Sequence, residues 1–255
     1  MHPDLALALE LADVADRITL DRFRASDLVV DTKPDLTPVT EADRAVERAI
    51  RERLAEERPC EPIFGEEEGG AAAAEGSRWI LDPIDATKNY VRGIPVFATL
   101  IALERDGTEA VAVVSAPALG RRWWASRGEG AFADGQQVRV SGVARLADAV
   151  LTYTSAGHFF ASGLGDAFEQ LTREAWAPRG YGDFWQYMLL AEGAVDVAVE
   201  TAAEVWDLAA PKLIIEEAGG RVTDFAGTAT AAGGSCVASN GLLHERVLAV
   251  LHGGN

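Results

Sequence analysis

Trp79-Ile80-Leu81-Asp82-Pro83-Ile84-Asp85-Ala86-Thr87-Lys88-Asn89-Tyr90 is the stretch whose reading decides both fold and chemistry. Residues 79–81 are apolar and read as a short buried strand that stops at two carboxylates. Asp82 and Asp85 lie three positions apart, and the ring of Pro83 fixes φ between them, so the turn is stiff. Two carboxylates held that close repel unless a cation sits between them or one is protonated. Oxygen-only ligands at a strand end favour a hard ion such as Mg²⁺, which keeps water ligands and takes others from a substrate phosphate. A plain Asp-Pro turn with both acids capping a loop explains these residues equally well. The rest of the chain has to decide.

Composition narrows the choice. The 255 residues suffice for one large domain or two compact lobes, and 48% hydrophobic with 25% charged residues is ordinary for a globular protein. A formal net charge of −17 argues against nucleic acid and against anionic membrane surfaces, because no basic stripe exists to neutralise phosphates. It still permits a small anionic substrate, since bound cations invert the local field. Cys60 and Cys236 fall in no metal or redox spacing, which suits a reducing cytosol. Met1-His2-Pro3-Asp4 carries no signal-peptide pattern, and no apolar run approaches membrane-span length. A cytoplasmic protein is expected.

Upstream, Leu5, Leu9, Ala12 and Ala15 recur at helical spacing, which predicts a helix over residues 4–23 with Asp4 as N-cap. Residues 28–30 are β-prone, and Pro34 and Pro38 keep the following segment extended or looped. Thr40-Glu41-Ala42-Asp43 resembles a capping box opening a second helix to residue 57. A carboxylate such as Asp43 is favoured in a first turn by the helix dipole alone. Glu66-Glu67-Glu68 reads either as a solvated charge run or as a second acid cluster at the end of a β-prone segment. Residues 71–76 are of low complexity and are expected to form a loop.

Downstream, residues 95–104, 109–116 and 122–125 read as consecutive antiparallel strands, with Trp123 and Trp124 on opposite faces. A second half starts near residue 146. It comprises a strand at 150–154, a helix at 166–176, a glycine-spaced loop at 179–183 and a nearly all-apolar helix at 184–193. A strand at 195–200 precedes a helix opened by Trp206-Asp207, with Pro211 early in it and Gly219-Gly220 as its C-terminal cap. Strands at 221–225 and 235–239 and a helix at 242–251 close the chain. The expected organisation is an N-terminal lobe over residues 1–145 and an α/β lobe over 146–255, acting as one catalytic unit. His158 and His244 have no convergent partners.

Four segments resemble the inositol monophosphatase family: Asp35-Leu36-Thr37-Pro38-Val39-Thr40-Glu41-Ala42-Asp43, Gly65-Glu66-Glu67, Asp82-Pro83-Ile84-Asp85-Ala86-Thr87, and Trp206-Asp207-Leu208-Ala209-Ala210 with Glu217-Ala218-Gly219-Gly220. They span the chain in the family's order. The resemblance implies a layered αβαβα (α+β) fold, with an antiparallel N-terminal sheet, a helix pair and a smaller mixed α/β lobe. It also implies a homodimer and a lithium-sensitive phosphomonoesterase using two or three Mg²⁺ ions. Carried over residue by residue, Glu66, Asp82, the carbonyl of Ile84, Asp85 and Asp207 are the implied metal ligands. Thr87, Asp43 and Glu66 are the implied catalytic groups, and the N–H groups of Ala86 and Thr87 the phosphate cradle. Glu67 and Lys33 stand behind the ligands. The family usually has glycine where this chain has Ala86, which costs free energy if the backbone there needs φ > 0.

Within the family the chain looks closest to the histidinol-phosphate phosphatases of histidine biosynthesis. The carriers are Lys33-Pro34-Asp35-Leu36-Thr37-Pro38-Val39-Thr40, Ser115 to Ala125, and Arg179-Gly180-Tyr181-Gly182-Asp183-Phe184-Trp185. Histidinol phosphate carries an ammonium and an imidazole, which Asp183 and Glu200 would complement. Asp183 also reads as a helix cap, and Arg179 as either a phosphate contact or a loop brace. The alternatives are an inositol-1-phosphatase or broad sugar phosphatase of the same family and, from another class, a catalytically impaired binding relative.

Overall fold

The computed structural model describes residues 2–34, 36–70 and 76–253. Asp35 and most of the loop expected at 71–76 lie outside the described residues. In chain order the elements are α1 (Pro3–Arg22), β1 (Val30–Thr32), β2 (Pro38–Thr40), α2 (Glu41–Glu57), β3 (Ile63–Gly65), β4 (Gly69–Gly70), β5 (Ser77–Asp85) and α3 (Thr87–Val91). Then come β6 (Ala98–Arg105), β7 (Thr108–Ala116), β8 (Arg121–Ser126), β9 (Gly130–Ala133), β10 (Gln136–Val138), β11 (Val150–Tyr153), α4 (Ala156–Ala161) and α5 (Gly165–Glu174). The chain closes with β12 (Ala177–Arg179), α6 (Asp183–Ala191), β13 (Val197–Glu200), α7 (Val205–Glu217), β14 (Arg221–Thr223), β15 (Cys236–Ser239) and α8 (His244–Leu251).

Period-2 alternation builds the layers. An eight-stranded sheet runs β10-β9-β8-β7-β6-β5-β3-β4, antiparallel except where β3 pairs with β5. Trp79, Leu81, Ile101, Leu103, Val111 and Val113 face one way and pack on α1 and α2 through Leu11, Ile50 and Leu54. Ile80, Leu100, Ala102, Ala112 and Val114 face the other way and pack on α6 and α7 through Phe184, Tyr187, Leu213 and Ile214. That helix pair is also covered by a five-stranded sheet, β12-β11-β13-β15-β14, through Ala198 and Ala238. Val197, Val199 and Val237 on its far face meet α5 and α8. The result is αβαβα. Each fully buried Leu or Ile contributes about 1.5–3 kcal/mol, so the helices lie where the alternating faces need covering.

Several expectations change in detail. His2, not Asp4, caps α1, because Pro3 starts the helix one residue earlier. Asp4 pairs instead with Arg58 and Arg105. The strand expected at 79–81 runs on to Asp85. α4, six residues long, is too short to show a period, and an edge strand over residues 177–179 takes the first residue of the loop expected at 179–183. Pro211 sits in the interior of α7 rather than early in it, since the helix begins at Val205. Its missing N–H leaves the Asp207 carbonyl without its helical donor.

Candidate metal and phosphate site

Residues three apart on a regular strand point to opposite faces. Asp82 pairs with Leu100 and Asp85 with Ala98, so β5 uses three steps where β6 uses two. This bulge re-aims the chain, accommodates Pro83 and brings the two carboxylates to one side. Asp207, in the first turn of α7, joins them: one oxygen from each of Asp82, Asp85 and Asp207 lies within 4.8 Å of the others. Asp207 Oδ2 accepts the Glu204 N–H at 2.8 Å, and Asp85 Oδ2 accepts the Phe184 N–H at 2.6 Å. Asp85 therefore ties the first sheet to the start of α6.

Glu66 follows β3, the parallel neighbour of β5, and its carboxylate faces that of Asp82. Lys33 spans the acid run, with Nζ 2.7 Å from Glu66 Oε1 and 2.6 Å from Glu67 Oε1. Beneath it lies a residue that sequence reasoning missed. Glu47 of α2 is fully buried and accepts the N–H groups of Glu67 at 2.8 Å and Glu68 at 3.0 Å. A Cβ on Gly65 would come within 2.2 Å of Glu47 Oε1, which is why the Gly-Glu-Glu segment needs its glycine. The available signal was an acid on the buried side of α2 beside Val46 and Ile50, with Arg51 one turn on.

Asp43 closes the capping box, its Oδ2 accepting the Thr40 N–H at 2.8 Å and hydroxyl at 2.5 Å. Its other oxygen lies 3.3 Å from the Thr87 hydroxyl, which is also 2.9 Å from the Ile84 carbonyl. Capping and site contact thus use different oxygens of one carboxylate. Ala86 has φ 65° and ψ 44°, the left-handed conformation that favours glycine.

Lys33, Thr37, Pro38, Glu66, Ala86, Thr87, Lys88, Asp183, Glu204, Trp206 and Asp207 line one cavity of about 470 Å³. A smaller one, about 60 Å³, is bounded by Asp85, Asp183, Phe184, Tyr187, Glu200 and Asp207. Asp183 does not cap α6 with its side chain; Asp85 supplies that bond. Arg179 is exposed, donates to the Pro178 carbonyl and lines neither cavity. Lys88 and Glu204 reach the larger cavity although sequence reasoning singled out neither. Lys88, directly after the Asp-Ala-Thr segment, was the legible one.

Burial drives the acids upward, and their mutual repulsion adds to it. Asp82 and Asp85 lie well above the carboxylate range, Asp82 facing Glu66, Asp85 and Asp207, and Asp85 facing Asp183 and Asp207. Asp207 is pushed up to about 8 and Glu200 to about 7, each chiefly by burial. Asp43 rises to about 6 by burial, against its bonds from Thr40. Among the described residues, Asp82 Oδ1 is buried without a hydrogen-bond partner. An orphaned carboxylate oxygen inside an all-oxygen cluster of this size fits a hard divalent cation. The acids can hold a metal, and without one they are an unfavourable congregation of like charge.

A family model described as "Inositol monophosphatase family" matches residues 1–254. The histidinol-phosphatase of Mycobacterium tuberculosis is 55% identical, over 99% of this chain and 99% of that one. The histidinol-phosphatase of Streptomyces coelicolor is 49% identical, over 98% of this chain and 97% of its own. Among solved structures, a Thermotoga maritima IMPase superposes with a TM-score of 0.88 at 32% identity, over 99% of this chain and 98% of that one.

Proposed function

The chain belongs to the inositol monophosphatase family, and on that premise we propose that it is an Mg²⁺-dependent phosphomonoesterase that hydrolyses L-histidinol phosphate to L-histidinol and phosphate. One observation carries the reading. Asp85 and Asp207, two of the three acids of the cation-fitted cluster with Asp82, share the small cavity with two further acids, Asp183 and Glu200. That arrangement suits a phosphate ester whose remote part is positively charged. The identity to two histidinol-phosphatases along nearly the whole chain supports the same substrate.

Glu66, Asp82, Asp85, Asp207 and the Ile84 carbonyl would hold the metal. When bound, Mg²⁺ supplies Lewis-acid polarisation of the phosphoryl oxygens and lowers the pKa of water. The Thr87 hydroxyl, next to Asp43 Oδ1, orients the attacking water, and Asp43 takes up the proton. An Asp43 held near 6 suits that task around neutral pH. The N–H groups of Ala86 and Thr87 accommodate the phosphate, with Lys33 and Lys88 adding positive charge at the cavity wall. Asp183 and Glu200 receive the cationic part of the substrate. Water adds to phosphorus, the bond to the histidinol oxygen breaks, and that oxygen leaves as the alcohol, gaining through solvent the proton that Asp43 took from the attacking water.

The proposal extends to two or three Mg²⁺ ions, lithium sensitivity, a homodimer and a cytoplasmic role in histidine biosynthesis, with lobes 1–145 and 146–255 acting as one unit. Among the described residues, no helix is long and apolar enough to cross a membrane. Phosphate release from L-histidinol phosphate, inositol 1-phosphate and fructose 1,6-bisphosphate in the presence of Mg²⁺ tests the substrate. The first should give the highest kcat/KM; preference for either of the others refutes the assignment. Asp85→Asn should abolish turnover, and retained activity would move the metal site elsewhere. No release from any ester, with Asp82→Asn and wild type binding Mg²⁺ alike, would identify a catalytically impaired relative.

A further inference from the structure

We infer that Tyr187 and Gln186 are positioning residues that fix the Glu200 carboxylate toward the substrate's cationic part, and thereby set the preference for a cationic over a neutral phosphate ester. The inference rests on the substrate reading above. Glu200 ends β13 at the small cavity shared with Asp183. Its Oε2 accepts the Tyr187 hydroxyl at 2.7 Å and the Gln186 amide at 3.2 Å. The same amide group donates to Thr154 Oγ1 at 3.0 Å, which anchors it from the β11 side. Gln186 and Tyr187 are 0% and 1% exposed.

A layer buried between two sheets has no packing need for a phenol and a carboxamide. Phe or Leu fills such volume without polar groups to satisfy. Here both polar groups converge on one oxygen of one carboxylate. A glutamate side chain otherwise samples several rotamers, and two donors at fixed positions remove that freedom before a ligand arrives. Among the described residues, no lysine or arginine lines the small cavity, and Asp183, outside the metal ligand set, borders it beside Glu200. A carboxylate held in that field is prearranged for an ammonium or an imidazolium, and offers nothing comparable to a neutral phenyl or polyol group.

The test is Tyr187→Phe in the full-length Mg²⁺-loaded protein, with Gln186→Met as second variant should the first not fold. The ratio of kcat/KM for L-histidinol phosphate to that for phenyl phosphate should fall about tenfold in the Phe variant, carried by KM, since a hydrogen bond to a charged group is removed. Inhibition by the product L-histidinol should weaken by a similar factor, while inhibition by inorganic phosphate stays at the wild-type value. A merely structural role would move both inhibition constants together. An unchanged ratio with unweakened L-histidinol inhibition overturns the inference and leaves the proposed function standing. A wild type with no preference for L-histidinol phosphate overturns both.

Discussion

Replacing Ala86 with glycine should make the protein more stable. The backbone at Ala86 is left-handed, at φ 65° and ψ 44°. There a Cβ crowds the following carbonyl oxygen and costs about 1–2 kcal/mol. Glycine removes that strain but enlarges the unfolded ensemble, which takes back about 0.4–1 kcal/mol. The net gain is about 1 kcal/mol, or roughly 2–4 °C in Tm for a chain of this size. Thermal unfolding of wild type, Ala86→Gly and Ala86→Val without metal provides the assay. Valine is β-branched and tolerates this region worse still, so the expected order of Tm is Gly, Ala, Val. The strain lies in the backbone, so the glycine gain should persist when Mg²⁺ is added. A glycine variant melting at or below wild type refutes the reasoning, and would mean that the Ala86 methyl makes contacts worth more than the strain.

Three further outcomes follow from the site and its supports. Asp82→Asn should stabilise the metal-free protein by about 1–3 kcal/mol, because it removes the cost of protonating a carboxyl that burial and Glu66 keep from ionising, yet abolish the rise in Tm on adding Mg²⁺; calorimetry with and without Mg²⁺ reads both, and a retained Mg²⁺ shift counts against the ligand role. Gly65→Ala should destabilise by about 3 kcal/mol or more and weaken Mg²⁺ binding in titration calorimetry, since its Cβ would come within 2.2 Å of Glu47 Oε1 and displace the anchor of the acid run. His244 lies buried between Thr223 and Ser239, and burial lowers its pKa to about 4. From about pH 6.5 down to about 4 the unfolded chain therefore binds the extra proton, so stability falls as pH drops, by at most about 3 kcal/mol. His244→Gln should lose that part of the pH dependence in urea unfolding, and a profile parallel to wild type would refute the assignment.

Local chemistry made much of the architecture legible. The Thr40–Asp43 capping box needs only residues within one turn, and it opens α2 where expected. β5 to β7 read as strands because their apolar runs are nearly unbroken, the pattern of a sheet covered on both faces, whereas which face each side chain takes was left to the register. The motif acids were legible as types in a pattern. Their partners were not legible in local chemistry, because each lies far along the chain: Glu47 beneath Gly65, Asp85 on the Phe184 N–H, and Lys33 against Glu66 and Glu67, which only the family resemblance had set near the ligands.

The stretch at 79–90 shows where the division falls. Read by itself, it established a buried apolar run ending in two stiffly linked carboxylates, because hydropathy and the proline ring act within a few residues. Whether these were loop caps or a cation site was beyond local information. The bulge opposite Leu100 and Ala98 turned Asp82 and Asp85 to one side, and α7 carried Asp207 to meet them. Strand register and helix packing bring distant charges together, and only that congregation makes a carboxylate oxygen buried, unpaired and in need of a cation.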